Sequence, residues 1–298
     1  MKAKMDIKTT LNDIASRVDR AIVKYCDQYL IGPERLLQAM RYSLLAGGKR
    51  IRPALVLLSA ELCGGGQEDA MIPAVAIEMI HTFSLIHDDL PAMDNDDFRR
   101  GKPTNHKMFG EAMAILAGDA LQTFAFELIG DHYIGPEDRK AKLMTELARA
   151  TGPAGMTGGQ VLDMTFGQED WTLSAVEKIH LLKTAALIRC ACRLGAISAG
   201  ADEAEYDIVS EYGLKIGLAF QIVDDYLDQT SNAGAMGKGV GKDAAHGKPN
   251  YALLAGSPAA AWQRATELVE EARECLVPFG EAGEPLQELA EVILKRHS

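Results

Sequence analysis

Basic residues are in short supply. The chain of 298 residues carries 31 Lys and Arg against 42 Asp and Glu, a formal net charge of −11. That balance argues against nucleic acid as the main partner. Small anionic substrates stay open, because a bound cation or a local basic cluster reverses the field where it matters. Cysteine is sparse as well. Cys26, Cys63, Cys190, Cys192 and Cys275 show neither zinc-ligand spacing nor an even disulfide framework. Cys190 and Cys192 do not face each other on a helix, and all five read as reduced core residues of a cytoplasmic protein. No strand-type alternation survives inspection, so a sheet is not expected. A Walker loop, a GxGxxG fingerprint and a serine or cysteine nucleophile motif are all missing. The opening MKAKMDIKTT has no apolar signal core, and Asp6 is out of keeping with a transit peptide. No stretch reads as apolar over the length a membrane span requires.

Hydrophobic residues are plentiful at 47%, ample for a core, and nearly every periodic segment reads as helix. Helices are expected over 10–30, up to Leu45, from Pro53 to Gly64, over 69–89, 108–130 and 136–150, from Ser174 to about Ala199, over 202–228, and in two stretches near 258–276 and 285–296. No domain boundary interrupts them, so residues 1–298 read as one unit.

Two of these helices carry paired acids. The first long apolar run closes on Asp88-Asp89, with Asp94, Asp96, Asp97, Arg99 and Arg100 following. The second closes on Asp224-Asp225 and Asp228. Adjacent carboxylates resist burial and repel each other, and hard divalent cations with oxygen ligands relieve both costs. Gln221, Asp224, Asp225 and Asp228 fall at i, i+3, i+4 and i+7, one polar stripe on an apolar helix. His81, Ser84 and Asp88 form a similar stripe on the first helix. Asp119 reads as a buried cap or hydrogen-bond anchor without a catalytic role, and Asp163 as a weak site candidate.

Basic residues cluster despite their scarcity. Gly47-Gly48-Lys49-Arg50-Ile51-Arg52-Pro53 allows a tight turn into a helix amino terminus, where anions are favoured. Lys183 is expected to need a partner and to face the carboxylates. Lys238, Lys242 and Lys248 sit in a Gly- and Lys-rich stretch after the second acidic cluster, read as a lid over an anion. Glycines at 158 and 159 read as allowing close helix contact. Two polyanion anchors beside an apolar pocket suit a long hydrocarbon carrying a diphosphate, and a dry pocket shields a carbocation from water.

These stretches together resemble the short-chain trans-prenyl diphosphate synthases, the farnesyl and geranylgeranyl diphosphate synthases. The resemblance covers nearly the whole chain: GGKRIRP at Gly47–Pro53, SLIHDDLPAMDNDDFRRGKPTNHKMFGE at Ser84–Glu111, LAGDAL at Leu116–Leu121, GGQVLD at Gly158–Asp163, Lys183-Thr184, FQIVDDYLD at Phe220–Asp228, and GKGVGKD with Lys248. The DDxxxxD form of the first cluster looks like the bacterial and plant type. One departure is Asn250-Tyr251-Ala252 after Lys248, where the family commonly has Thr-Tyr-Pro.

The resemblance implies an all-α fold, a single large helical bundle around a deep central cavity (the isoprenoid synthase fold), acting as a homodimer. It implies magnesium, three ions per site with manganese able to substitute, held by Asp88, Asp89, Asp94, Asp224, Asp225 and Asp228. It implies that Lys49, Arg52, His81 and Arg100 bind isopentenyl diphosphate. Arg99, Lys183, Lys238 and Lys248 would bind the allylic diphosphate, with Thr184 and Gln221 beside the carbon that becomes cationic. The implied reaction is ionisation, attack by the isopentenyl double bond and loss of a proton. By the same resemblance, the fifth position before the first aspartate sets product length; there Phe83, with Ser84 beside it, points to farnesyl diphosphate. A geranylgeranyl synthase, a terpene cyclase and a non-catalytic partner subunit remain as alternatives.

Overall fold

The computed structural model describes residues 6–166, 171–230 and 250–295. Its elements are almost all helices: α1 (Ile7–Tyr29), α2 (Glu34–Leu44), α3 (Ile51–Leu62), α4 (Met71–Asp88), α5 (Asn105–Phe109), α6 (Glu111–His132), α7 (Glu137–Thr151), α8 (Met156–Thr165), α9 (Leu173–His180), α10 (Ala186–Ala199), α11 (Glu203–Thr230), α12 (Tyr251–Leu254), α13 (Pro258–Cys275) and α14 (Glu284–Leu294). The all-α expectation holds, with one exception. The charged stretch 90–107, expected to be loop throughout, folds Phe98–Arg99 (β1) against Lys102–Pro103 (β2) in a small antiparallel hairpin.

Helices α3, α4, α10 and α11 form the centre, and their sequences explain why. In α4 every residue from Met71 to Ile80 except Ile72 is buried, so its apolar content covers the whole circumference rather than one stripe. α10 approaches α3 closely because Gly195 has no side chain; a Cβ there would lie 2.3 Å from the Val56 carbonyl oxygen. α6 packs on α4, α7 on α10 and α13 on α11. Pro258 opens α13 behind Ser257, whose side chain accepts from the Ala260 N–H, a standard pairing of cap and first-turn proline.

Three readings need correction. The helix expected over 108–130 is two helices, because Gly110 has φ +88°, a left-handed conformation that breaks the hydrogen-bond ladder. α6 is long and apolar enough to cross a membrane by length and composition, with mean hydropathy 1.4 over its best window. The cause is that its two sides are both apolar: Leu121, Phe124 and Leu128 face the core, while Ile115 and Leu116 are exposed. Asp119 on the same helix is not buried; its side chain is 59% exposed, 3.9 Å from His87 Nε2. The cysteines are unpaired thiols as expected, with Cys26, Cys190 and Cys192 buried.

Candidate active site

The first acidic cluster caps α4. Asp88 is its last residue, and the chain then curls back so that the Asp94 N–H donates to the Asp88 carbonyl at 2.9 Å. Asn95, with φ +51°, closes the turn by donating to Leu90 O. Leu90 to Met93, the four residues between Asp89 and Asp94, thus form a compact loop that returns Asp94 to Asp88.

Asp88 and Asp89 have different surroundings. Burial pushes the Asp88 carboxyl up to about 6, with Asp94 and Asp89 adding like charge and Lys183 and Arg99 opposing. Gln160 Nε2 donates to Asp88 Oδ1 at 3.0 Å. Asp89, 3% exposed, is gripped by Arg99 through Nε at 2.7 Å and Nη2 at 2.6 Å. Its carboxyl is also raised by burial, although Arg99 works against the shift.

The second cluster sits in the last two turns of α11 rather than at its end. There Asp225 is engaged from three sides. Its Oδ2 accepts the Tyr251 N–H at 2.7 Å and lies 3.4 Å from His180 Nε2, and Gln221 Nε2 reaches Oδ1 at 3.3 Å. Asn250 Nδ2 donates to the Asp225 carbonyl while its own Oδ1 caps α12. The departure at Asn250-Tyr251-Ala252 is therefore an anchor for this helix.

Between α9 and α10 lies a π-helical turn, Leu181–Ala185, where one continuous helix was expected. Such a widened turn commonly marks a functional site. It carries Lys183, whose Nζ meets Asp163 Oδ2 at 2.6 Å, and Thr184, whose Oγ1 donates to Gln221 Oε1 at 2.8 Å. α8 reaches this turn because Gly159 is bare: a Cβ would fall 2.2 Å from the Lys183 nitrogen. Gly159 serves close helix contact, as expected, whereas Gly158 packs on the Pro153 carbonyl in the turn before α8. Gly159→Ala should push α8 away from the turn and cost about 1–3 kcal/mol. It should also loosen the Lys183–Asp163 and Gln160–Asp88 contacts, lowering turnover; thermal melts and initial rates report both. Native stability and rate would show that the contact is not needed.

The basic residues line a separate cavity of about 550 Å³, formed by Lys49, Arg52, His81, Arg100, Phe220 and neighbours. Burial brings Arg52 down to about 10, helped by the like charge of Arg100 and opposed by Glu78 and Asp224. The Nε of Arg52 is buried and unbonded. His81 is held well below its usual range by burial and then by Arg52 and Arg100, so it stays neutral. Arg100, at φ +53°, bonds the Gly47 carbonyl and packs where a side chain on Gly48 would stand. Phe83 is 7% exposed and meets His87 edge-on at 5.8 Å. Ser84 Oγ donates to the His81 carbonyl. Lys238, Lys242 and Lys248 lie outside the described residues.

Sequence reasoning missed Gln160, His180, Arg50 and Glu78. The last had a visible signal, an acid enclosed by Ile77 and Met79 in an apolar helix.

Residues 33–276 match the family model for polyprenyl synthetase. The chain belongs to the polyprenyl synthetase family. This polyprenyl synthetase is 44% identical to the farnesyl diphosphate synthase of Geobacillus stearothermophilus, over 99% of both chains. It is 47% identical to the geranylgeranyl diphosphate synthase of Cyanophora paradoxa, over 89% of each. The solved FPP/GFPP synthase of Zymomonas mobilis superposes with a TM-score of 0.85 at 37% identity, covering 97% of this chain and 98% of that one. The fold is the isoprenoid synthase fold, and the chain is a trans-prenyltransferase acting on prenyl diphosphates.

The acidic residues fit magnesium. Their donors are oxygens only, and desolvation raises the half-buried Asp88 carboxyl above its ordinary range, a cost that a cation would offset. Among the described residues no three acid, His or Cys groups form a closed cluster. An ion here would complete its shell with water and diphosphate oxygens, as magnesium prefers.

Proposed function

We propose that this polyprenyl synthetase is a magnesium-dependent farnesyl diphosphate synthase, condensing isopentenyl diphosphate with dimethylallyl and then geranyl diphosphate. The observation that carries the product assignment is Phe83, a buried aromatic ring on α4 five residues before Asp88, about 7.5 Å along the axis at 1.5 Å per residue. A hydrocarbon growing away from Asp88 would meet that ring. Purified protein given isopentenyl diphosphate and each allylic starter should accumulate the fifteen-carbon product; a twenty-carbon product would replace this reading with geranylgeranyl synthesis, the activity named for the Cyanophora relative.

Asp88, Asp94, Asp224 and Asp228 would hold the metal. Asp89 and Asp225, also assigned as ligands from the resemblance, are in addition braced, by Arg99 and by the Tyr251 N–H. Magnesium supplies positive charge that offsets the departing diphosphate. Lys183 adds a fixed cation beside Asp88. Thr184 and Gln221, locked together by their hydrogen bond, present oxygen dipoles toward the allylic carbon where positive charge develops. The apolar wall around Phe220 excludes water, so the isopentenyl double bond captures the cation. The new carbon–carbon bond leaves a tertiary cation, and loss of an adjacent proton to the released diphosphate restores a double bond.

Lys49, Arg52, neutral His81 and Arg100 would bind the isopentenyl diphosphate at the amino terminus of α3. Arg52→Ala should raise the KM for isopentenyl diphosphate by about a hundredfold, with a much smaller change for geranyl diphosphate. Equal shifts in steady-state titrations of the two substrates would refute two separate anion sites.

We also propose a homodimer through the outer face of α6, where Leu116 is 53% exposed beside Ile115. Sedimentation should give twice the chain mass, and Leu116→Glu should shift it toward the monomer. A wild-type monomer at micromolar concentration would exclude this.

A further inference from the structure

Arg50 stands between Lys49 and Arg52 in the lining of the same cavity, as does Glu78, yet its own side chain has no solvent-accessible surface. All three parts of its guanidinium are used. Nε donates to Asp19 on α1 at 2.8 Å, Nη1 to Glu78 on α4 at 2.6 Å, and Nη2 to the Leu44 carbonyl at the end of α2 at 2.8 Å. One side chain thereby ties three helices to the turn that starts α3.

The backbone at the same residue is left-handed, with φ +48° and ψ +39°, and it forms the amino-terminal cap of α3. That conformation costs a residue with a side chain about 1–2 kcal/mol, so something must hold it. The three bonds do so, and the Arg50–Glu78 part is doubly buried, where a matched ion pair is costly to break. Releasing the turn would let Lys49 and Arg52 swing. Arg52 has no competing anchor through its Nε. Glu78 also faces Arg52 and Arg100 electrostatically, so the carboxylate that fixes Arg50 sets the field in the same cavity.

We propose that Arg50, through Glu78 and Asp19, is a positioning residue for isopentenyl diphosphate: it touches no substrate but holds Lys49 and Arg52 in the orientation that grips the diphosphate. This rests on the assignment of that cavity to isopentenyl diphosphate.

Arg50→Lys keeps the charge but has one nitrogen in place of a planar fork, so it cannot reach all three acceptors. The expected result is a rise of about tenfold or more in the KM for isopentenyl diphosphate, with the KM for geranyl diphosphate and kcat within about twofold. Asp19→Asn cuts the network at its exposed end, where the Asp19 side chain is 46% accessible. It should give about a threefold shift of the same kind, in a protein that melts near the wild-type temperature. A generic packing defect would instead move both Michaelis constants and kcat together, and that outcome overturns the proposal. So does an unchanged isopentenyl KM in folded Asp19→Asn, which decides the matter alone should Arg50→Lys fail to fold. Arg52→Ala is the control. If it leaves the isopentenyl KM untouched, the assignment of the cavity fails; if it raises that KM and the Arg50 and Asp19 variants do not, only the positioning role fails.

Discussion

Asp88→Asn is expected to lower turnover by about a thousandfold and, in the same preparation, to make the metal-free protein more stable at pH 7. The first half follows from removing a charged oxygen ligand where positive charge must collect. The second follows from linkage. Burial raises the Asp88 acid from 3.8 to about 6, so above pH 6 the folded chain carries a carboxylate it would rather protonate, while the unfolded chain carries it freely. At 1.36 kcal/mol per pH unit, the penalty reaches about 3 kcal/mol. The sign runs one way. Below pH 3.8 both states are protonated and the penalty is absent. It grows as pH rises from 4 to 6, because there the folded state binds more protons than the unfolded one, and it is complete above 6. Asparagine keeps an oxygen for Gln160 Nε2 and has no charge to bury. Melting in chelator should therefore show the variant and wild type alike near pH 4 and the variant several degrees higher at pH 7. A variant that melts below wild type at pH 7 would show that Asp88 is not an electrostatic strain. Addition of magnesium should reverse the order, since only the wild type gains a ligand-bound state.

Phe83→Ala is expected to lengthen the product from fifteen carbons to twenty or more. Phe83 is on α4 on the apolar side of Asp88 and packs its ring against His87. His87 in turn fits only because Gly118 on α6 is bare; a Cβ there would lie 2.2 Å from its Nε2. Removing the phenyl group leaves a void that the crowded α4–α6 contact cannot easily collapse. The stability cost is about 3–5 kcal/mol, and Phe83→Leu offers a milder version. Chromatography of the dephosphorylated products reads chain length directly. An unchanged fifteen-carbon product in a folded Phe83→Ala protein would remove this ring as the limit on growth.

Much of the site was legible in the sequence because its signals are local. Gln221, Asp224, Asp225 and Asp228, at i, i+3, i+4 and i+7 on α11, share a stripe by helix geometry alone, and Gly47–Pro53 announces a turn into a helix. The sequence was silent where a side chain's contacts depend on a distant partner. Asp88 and Asp89 are neighbours, yet consecutive residues on a helix point about 100° apart, and nothing local says which faces the cavity. Arg99, ten residues on and delivered by the hairpin at Phe98–Pro103, takes Asp89. The same is true of Asp225, claimed by Tyr251 and His180 from elements far away in the chain. The π-helical turn under Lys183 and Thr184 was invisible for another reason. Its residues have ordinary helix propensity, and the extra residue per turn is stabilised by contact with Gly159 and Gln221, not by composition.

The sequence by itself determined the helical class, the two acidic stripes and the basic turn, because apolar periodicity and proline and glycine placement act within one or two turns of chain. Only the tertiary structure decided which carboxylates are engaged by distant partners, Asp89 by Arg99 and Asp225 by Tyr251 and His180. It alone also made Arg50 a buried strut between two cavity-facing bases. Those outcomes depend on desolvation and on hydrogen bonds between elements far apart in the chain, 31 residues for Asp19 and Arg50 and 72 for Asp88 and Gln160, and burial of a charge is a property of its surroundings, not of the residue that carries it.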